Sequence, residues 1–154
     1  MSGEPELGKP APDFRVATTE GDKTLRDLLG DTKLVLAFYV EDATPACTSE
    51  VVSFKEEYKT IQELSARVLG VSADTIESHK QFAQKLGGLP FSLASDANLS
   101  LARAYGVLGD DGKRSRRAVF VIAADGKLTY KNTRYNPGNP GHYMELFEAL
   151  GLKT

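Results

Sequence analysis

The side chains that could carry chemistry are few. There is one cysteine, Cys47, and two histidines, His79 and His142, far apart in the chain. A lone cysteine excludes an intramolecular disulfide, and these spacings give no zinc-ligand pattern. Cys47 is therefore either packing or a nucleophile. Free cysteine is usually a small buried hydrophobe, and Cys47 shares a helical stripe with Val51 and Phe54, which fits packing. Its other neighbours fit reactivity. In Thr44-Pro45-Ala46-Cys47-Thr48, threonine is a good N-cap and proline is favoured at the first helical position. Cys47 then falls in the first turn, where free N–H groups and the helix dipole favour a thiolate. Position alone does not choose between the two readings.

The elements that must position this cysteine can be read from the pattern. Phe14 to Thr18 suits a short strand, ended by a Glu20-Gly21-Asp22 turn. Lys33 to Val40 is an apolar run suited to a central strand buried on both faces. The helix that follows carries Cys47, Val51, Phe54, Tyr58 and Ile61 on one stripe. Ala66 to Ala73 is a second buried strand. Asp74 and Glu77 form a capping-box-like start for a helix reaching about Leu86, ended by Gly87-Gly88. His79 is expected on its surface, and His142 near the start of the last helix. Phe91 to Ala94 is a short strand, and Leu99 to Tyr105 a short helix. Arg117 to Ala123 and Lys127 to Lys131 form a hairpin through Ala124-Asp125-Gly126. Asn139-Pro140 opens a final helix with Met144, Phe147 and Leu150 as its apolar side. The order predicts an α/β domain of three layers around a mixed sheet.

Length and composition narrow the function classes. The 154 residues suit one domain, 1–154. Hydrophobic residues make up 41% and charged residues 26%, with a net charge of −2. That balance gives no pull toward nucleic acid or an anionic membrane. The apolar run Leu34 to Val40 is too short to span a bilayer. The first residues have neither a basic n-region nor an apolar h-region, so a cytoplasmic location is expected.

The stretch from Phe38 to Glu50, FYVEDATPACTSE, resembles the active-site loop of the peroxiredoxins, F-Y-P-x-x-x-T-x-G-C-T-x-E. It is most similar to the bacterioferritin comigratory protein, or Q-type, subgroup. The resemblance runs nearly the length of the chain. Gly8 to Phe14 is similar to the family's G-x-x-A-P-D-F, and Arg117 to Ile122 to its R-x-x-F-x-I strand. Leu69-Gly70-Val71-Ser72 and Ala104-Tyr105-Gly106-Val107 add to it. The resemblance implies a thioredoxin-like fold and a thiol-dependent peroxidase acting on hydrogen peroxide and small organic hydroperoxides. Cys47 would be the peroxidatic nucleophile, oxidised to a sulfenic acid. Thr44 would direct its hydroxyl at the thiolate or the peroxide. Arg117 would favour the thiolate and stabilise the departing oxygen. The N–H groups of Ala46 and Cys47 would help hold the peroxide, and Glu50 would orient Arg117.

Plainer readings of the same residues stand beside these. Thr44 serves equally as a cap, and Glu50 as a first-turn acid. Arg117 ends the basic run Lys113-Arg114-Ser115-Arg116-Arg117 at the start of the apolar strand, and Arg116 is the nearest alternative, which alternation along a strand would point to the other face. Two departures from the pattern matter. The family's proline is Val40 here, and Val52 stands where many Q-type members carry a resolving thiol. The implied cycle is therefore a one-cysteine cycle, completed by an outside reductant: thioredoxin, a glutaredoxin-like protein or a low-molecular-weight thiol. No metal or organic cofactor is implied, and either a monomer or a homodimer fits. A thiol–disulfide oxidoreductase is disfavoured by the lack of C-x-x-C. A non-catalytic peroxide sensor or binding module on the same fold is the alternative.

Overall fold

The computed structural model describes residues 5–152. Its elements follow in the order β1 (Arg15–Thr18), β2 (Gly21–Thr24), α1 (Leu25–Leu29), β3 (Lys33–Phe38), α2 (Pro45–Glu56), α3 (Tyr58–Glu63), β4 (Ala66–Ser72), α4 (Ile76–Lys85), β5 (Ser92–Ser95), α5 (Ser100–Ala104), β6 (Ala118–Ile122), β7 (Leu128–Asn132) and α6 (Pro140–Ala149). Among the described residues the strands form one mixed sheet, ordered β2-β1-β5-β4-β3-β6-β7. β3, β4 and β5 run parallel, while β6 pairs antiparallel with β3.

Alternation along the strands splits the core into two layers. Val35, Ala37 and Tyr39 of β3 and its extension point to one face, with Val119 and Val121 of β6. The stripe Cys47, Val51, Phe54, Tyr58 and Ile61 covers that face, joined by Phe82, Leu146 and Phe147. Leu34, Leu36 and Phe38 point to the other face, with Phe120 and Ile122, and are covered by Leu25, Leu29, Ala102 and Tyr105. Helices thus lie on both faces of the sheet, giving the expected three layers.

Several expectations are corrected locally. The polar segment Gly21–Thr24 pairs with β1 as an edge strand, and α1 follows it on a Thr24–Asp27 capping box. The long helix breaks at Glu57 (φ −97°, ψ 8°) into α2 and α3, although its apolar stripe continues across the break. Thr75, not Asp74, caps α4, accepting from the Ser78 N–H at 3.1 Å. On α6 the covered side is Leu146, Phe147 and Leu150, whereas Met144 is 40% exposed. No helix among the described residues is long and apolar enough to cross a membrane.

Candidate active site

β3 delivers the chain to the carboxyl ends of the parallel strands, where α/β sheets commonly hold ligands. The Tyr39 N–H extends the sheet by donating to the Val71 carbonyl at 2.9 Å. The Ser115 hydroxyl donates to the Tyr39 carbonyl at 3.1 Å. The loop then turns through Ala43, whose φ of 65° lies in the left-handed region. Thr44 takes the extended N-cap conformation, and its carbonyl accepts the first helical bond, from Thr48 N–H, at 2.8 Å. Its hydroxyl makes no capping bond and donates instead to the Glu41 carbonyl at 3.0 Å. The N–H groups of Ala46 and Cys47 consequently meet no acceptor among the described residues. Pro45 and Ala46 are exposed, while Cys47 is only 1% exposed.

Glu50 lies one turn beyond Cys47 on the same side of α2. It is 2% exposed, and neither carboxyl oxygen has a hydrogen-bond partner among the described residues. Burial raises its pKa from 4.5 to about 8, with the positive charge of Arg117 opposing the rise. Glu50 is thus no exposed first-turn acid but a buried one electrostatically coupled to Arg117. Arg117 precedes β6, the neighbour of β3, and its carbonyl accepts from the Tyr135 N–H at 3.2 Å. Burial also holds the Tyr135 phenol above its ordinary range, helped by the charge of Glu50. Arg116 and Arg117 both precede the strand, so strand alternation does not separate them, and both line one cavity with Val40 and Tyr135. The Arg116 guanidinium lies 3.7 Å from the Asp110 carboxylate.

Beneath the loop lies a network that the sequence did not reveal. His79 is fully buried, not on the helix surface as expected. Its Nε2 lies 2.8 Å from the Ala94 carbonyl and its Nδ1 2.8 Å from the Asp42 carboxylate. Both ring nitrogens thus face oxygen atoms of the network. Asp42 also accepts from the hydroxyls of Ser78, at 2.8 Å, and Tyr39. Burial would raise its carboxyl, but the hydrogen bonds from His79 and Tyr39, with the charge of His79, outweigh it and hold the group low. Burial, then the Asp42 charge, keeps Tyr39 a neutral phenol. Asp74 accepts from the Asp42 N–H at 2.9 Å and the Ser72 hydroxyl at 2.5 Å. Asp42, Asp74 and His79 have ligand-type atoms close together, but these atoms already satisfy one another and their neighbours. The network therefore reads as an anchor for the loop. Its one sequence signal was the stripe His79, Phe82 and Leu86 at helical spacing.

A first helical turn with free N–H groups, a buried thiol at its third residue and an arginine just before β6, coupled to Glu50 of the same helix, make a site suited to thiolate chemistry. Residues 7–131 match the AhpC/TSA family. The chain belongs to that family, the peroxiredoxins, and has their thioredoxin-like fold and thiol-dependent peroxidase activity. Its likeness is to the bacterioferritin comigratory, or Q, type in a one-cysteine form. It is 35% identical over 130 residues to "Putative peroxiredoxin bcp" of Coxiella burnetii, covering 80% of this chain and 85% of that one. The crystal structure of "Peroxidoxin BcpB" from Mycobacterium tuberculosis superposes with a TM-score of 0.86 at 28% identity, covering 98% of this chain and 100% of that one. A yeast mitochondrial 1-Cys peroxiredoxin, with a thiol-resolving mechanism via glutathione/thioredoxin systems, gives 0.82 at 26% identity, covering 94% of this chain and 76% of that one.

Proposed function

We propose that Cys47 is the peroxidatic thiol of a one-cysteine cycle that reduces hydrogen peroxide and small organic hydroperoxides. The Cys47 thiolate attacks the nearer peroxide oxygen. An S–O bond forms, the O–O bond breaks, and the distal oxygen leaves with the bonding pair and takes up a proton. The sulfur is oxidised to sulfenic acid as the peroxide is reduced to water or an alcohol. The observation that carries this reading is the start of α2. The Thr44 hydroxyl is committed to Glu41, which leaves the Ala46 and Cys47 N–H groups open to an anion. In this reading those two groups hold the peroxide. Thr44 Oγ1, its own proton given to Glu41, accepts the peroxide O–H. Arg117 stabilises the departing oxygen, and Glu50 sets the position of Arg117.

With one cysteine in the sequence, the sulfenic acid has no resolving partner in its own chain. An external reductant completes the cycle: thioredoxin, a glutaredoxin-like protein or a low-molecular-weight thiol. The free thiol suits a reducing, cytoplasmic setting, and the whole of 1–154 acts as one such domain.

The test is intact mass after mixing reduced protein with a slight excess of hydrogen peroxide, quenched from milliseconds to minutes with a dimedone trap. Wild type is expected to gain one oxygen rapidly and to form the dimedone adduct, and Cys47→Ser to do neither. Oxidation no faster than that of free cysteine would refute the role given to Cys47.

A further inference from the structure

The unassigned feature is an open cavity of about 320 Å³ in front of Arg117. Arg116, Arg117 and Arg134 line it, with Val40 and Tyr135, and no carboxylate belongs to its described lining. Arg134 is exposed, and neither it nor Arg117 forms an ion pair within 4.0 Å among the described residues. Asp110 reaches Arg116 at 3.7 Å from a fully exposed position, and Glu50, coupled to Arg117, is buried and outside the cavity lining. Three arginines thus line one small concavity of a chain whose net charge is −2. Planar guanidinium forks suit carboxylates, which they can hold in bidentate fashion. The volume is at the lower end for small-ligand sites, roughly 300–1,000 Å³.

We propose that this cavity is the docking subsite for the carboxylate of a small anionic thiol, the reductant that closes the cycle. The inference rests on Cys47 being the peroxidatic thiol. Two observations join the cavity to that cycle: of its lining, Arg117 is coupled to Glu50, one turn beyond Cys47, and Val40 packs on the core cluster that holds Cys47; and the chain supplies no second thiol. The anionic thiol's sulfur attacks Cys47 Sγ. An S–S bond forms, the S–O bond breaks, and hydroxide leaves as water after taking a proton. A second molecule of the same thiol attacks the ligand sulfur, releasing the Cys47 thiolate and the ligand's disulfide. Two thiols thus supply the two electrons that the peroxide removed.

The sulfenic form, made with one equivalent of hydrogen peroxide, is mixed with mercaptosuccinate (anionic), 1-thioglycerol (neutral) or cysteamine (cationic), each rate taken per thiolate. At low ionic strength mercaptosuccinate is expected to exceed thioglycerol by at least about tenfold (~1.4 kcal/mol). Cysteamine is expected to be slowest, and the ratio to fall toward one in about 1 M salt. Arg134→Ala is expected to cut the anionic preference to about threefold or less, and Arg134→Lys to keep part of it. A wild-type ratio near one, or a ratio unmoved by Arg134→Ala, overturns the proposal. Linoleic acid hydroperoxide against its methyl ester tests the other source of a carboxylate. A charge preference there, absent from the thiol step, overturns the assignment to the reductant.

Methylsuccinate titrated into the reduced protein, followed by amide NMR shifts at Val40, Thr133 and Arg134, separates the two claims. Localised binding supports the subsite even where no sulfenic acid forms, an outcome that would remove only the role of Cys47. Normal sulfenic acid formation with no such binding overturns the subsite alone.

Discussion

Glu50→Gln tests the electrostatics of the site directly. The Glu50 carboxyl is buried without hydrogen-bond partners, and its pKa rises from 4.5 to about 8. A carboxyl raised in the folded state binds its proton more tightly there than in the unfolded chain. Its stabilising contribution is fully present below about pH 4.5 and is lost as pH rises toward 8. Across that window the loss amounts to roughly 4–5 kcal/mol, of which about 3 kcal/mol falls between pH 5 and pH 8. Glutamine has the same shape and no charge to lose. It also lacks partners, which adds an offset independent of pH. The assay is urea denaturation of both proteins, thiol kept reduced, at half-unit steps from pH 5 to pH 8.5. The stability of Glu50→Gln relative to wild type is expected to rise by about 3 kcal/mol across this range. A difference flat with pH would refute the reasoning, since Glu50 would then be ionised throughout at little cost.

Two further expectations concern the support of the site. His79→Ala removes the imidazole from the Asp42 carboxylate, a side chain 5% exposed. Leaving that charge unpaired is expected to lower stability by about 3–5 kcal/mol in urea denaturation, and a loss below about 1 kcal/mol would mean the network is no anchor. In β4, a Cβ on Gly70 would lie 2.7 Å from Leu93 Cδ2 and 3.4 Å from the Tyr39 ring. Gly70→Ala is expected to cost roughly 1–3 kcal/mol in thermal unfolding, with Leu93→Val beside it recovering most of the loss. An unchanged midpoint in the single variant would show that Leu93 moves aside freely.

What the sequence disclosed about this molecule was what local physics controls. The Thr44-Pro45 start of α2 is a capping pattern contained in a few residues, and the apolar runs of β3 and β4 mark buried strands whatever surrounds them. The face that Cys47 shares with Val51 and Phe54 follows from helical spacing. What stayed hidden depends on distant partners. Glu50 looks like a plain first-turn acid until the fold buries it and couples it to Arg117 and Tyr135. His79 looks like a polar surface residue until β5 presents the Ala94 carbonyl and the Cys47 loop presents Asp42. Asp74 fits a helix cap by spacing, yet its carboxylate is drawn off to the Asp42 N–H. The edge strand Gly21–Thr24 escaped because its four polar residues carry no apolar alternation. Arg134 drew no notice because its meaning comes only from Arg116 and Arg117 across the cavity.

The anchor beneath the Cys47 loop also bears on the order in which a growing chain becomes safe. Asp42 is tied to Asp74, Ser78 and His79, and His79 in turn to the Ala94 carbonyl. None of these partners has emerged when residue 47 first leaves the ribosome, because the chain emerges from its N-terminus. The thiol therefore emerges on an unanchored segment and stays so until β4, α4 and β5 have been made and have docked. During that interval it has neither the cover of the folded core nor the setting of its helix start. A nascent chain stalled before Ala94 would expose an ordinary cysteine to alkylation, and the full, released chain would shield it.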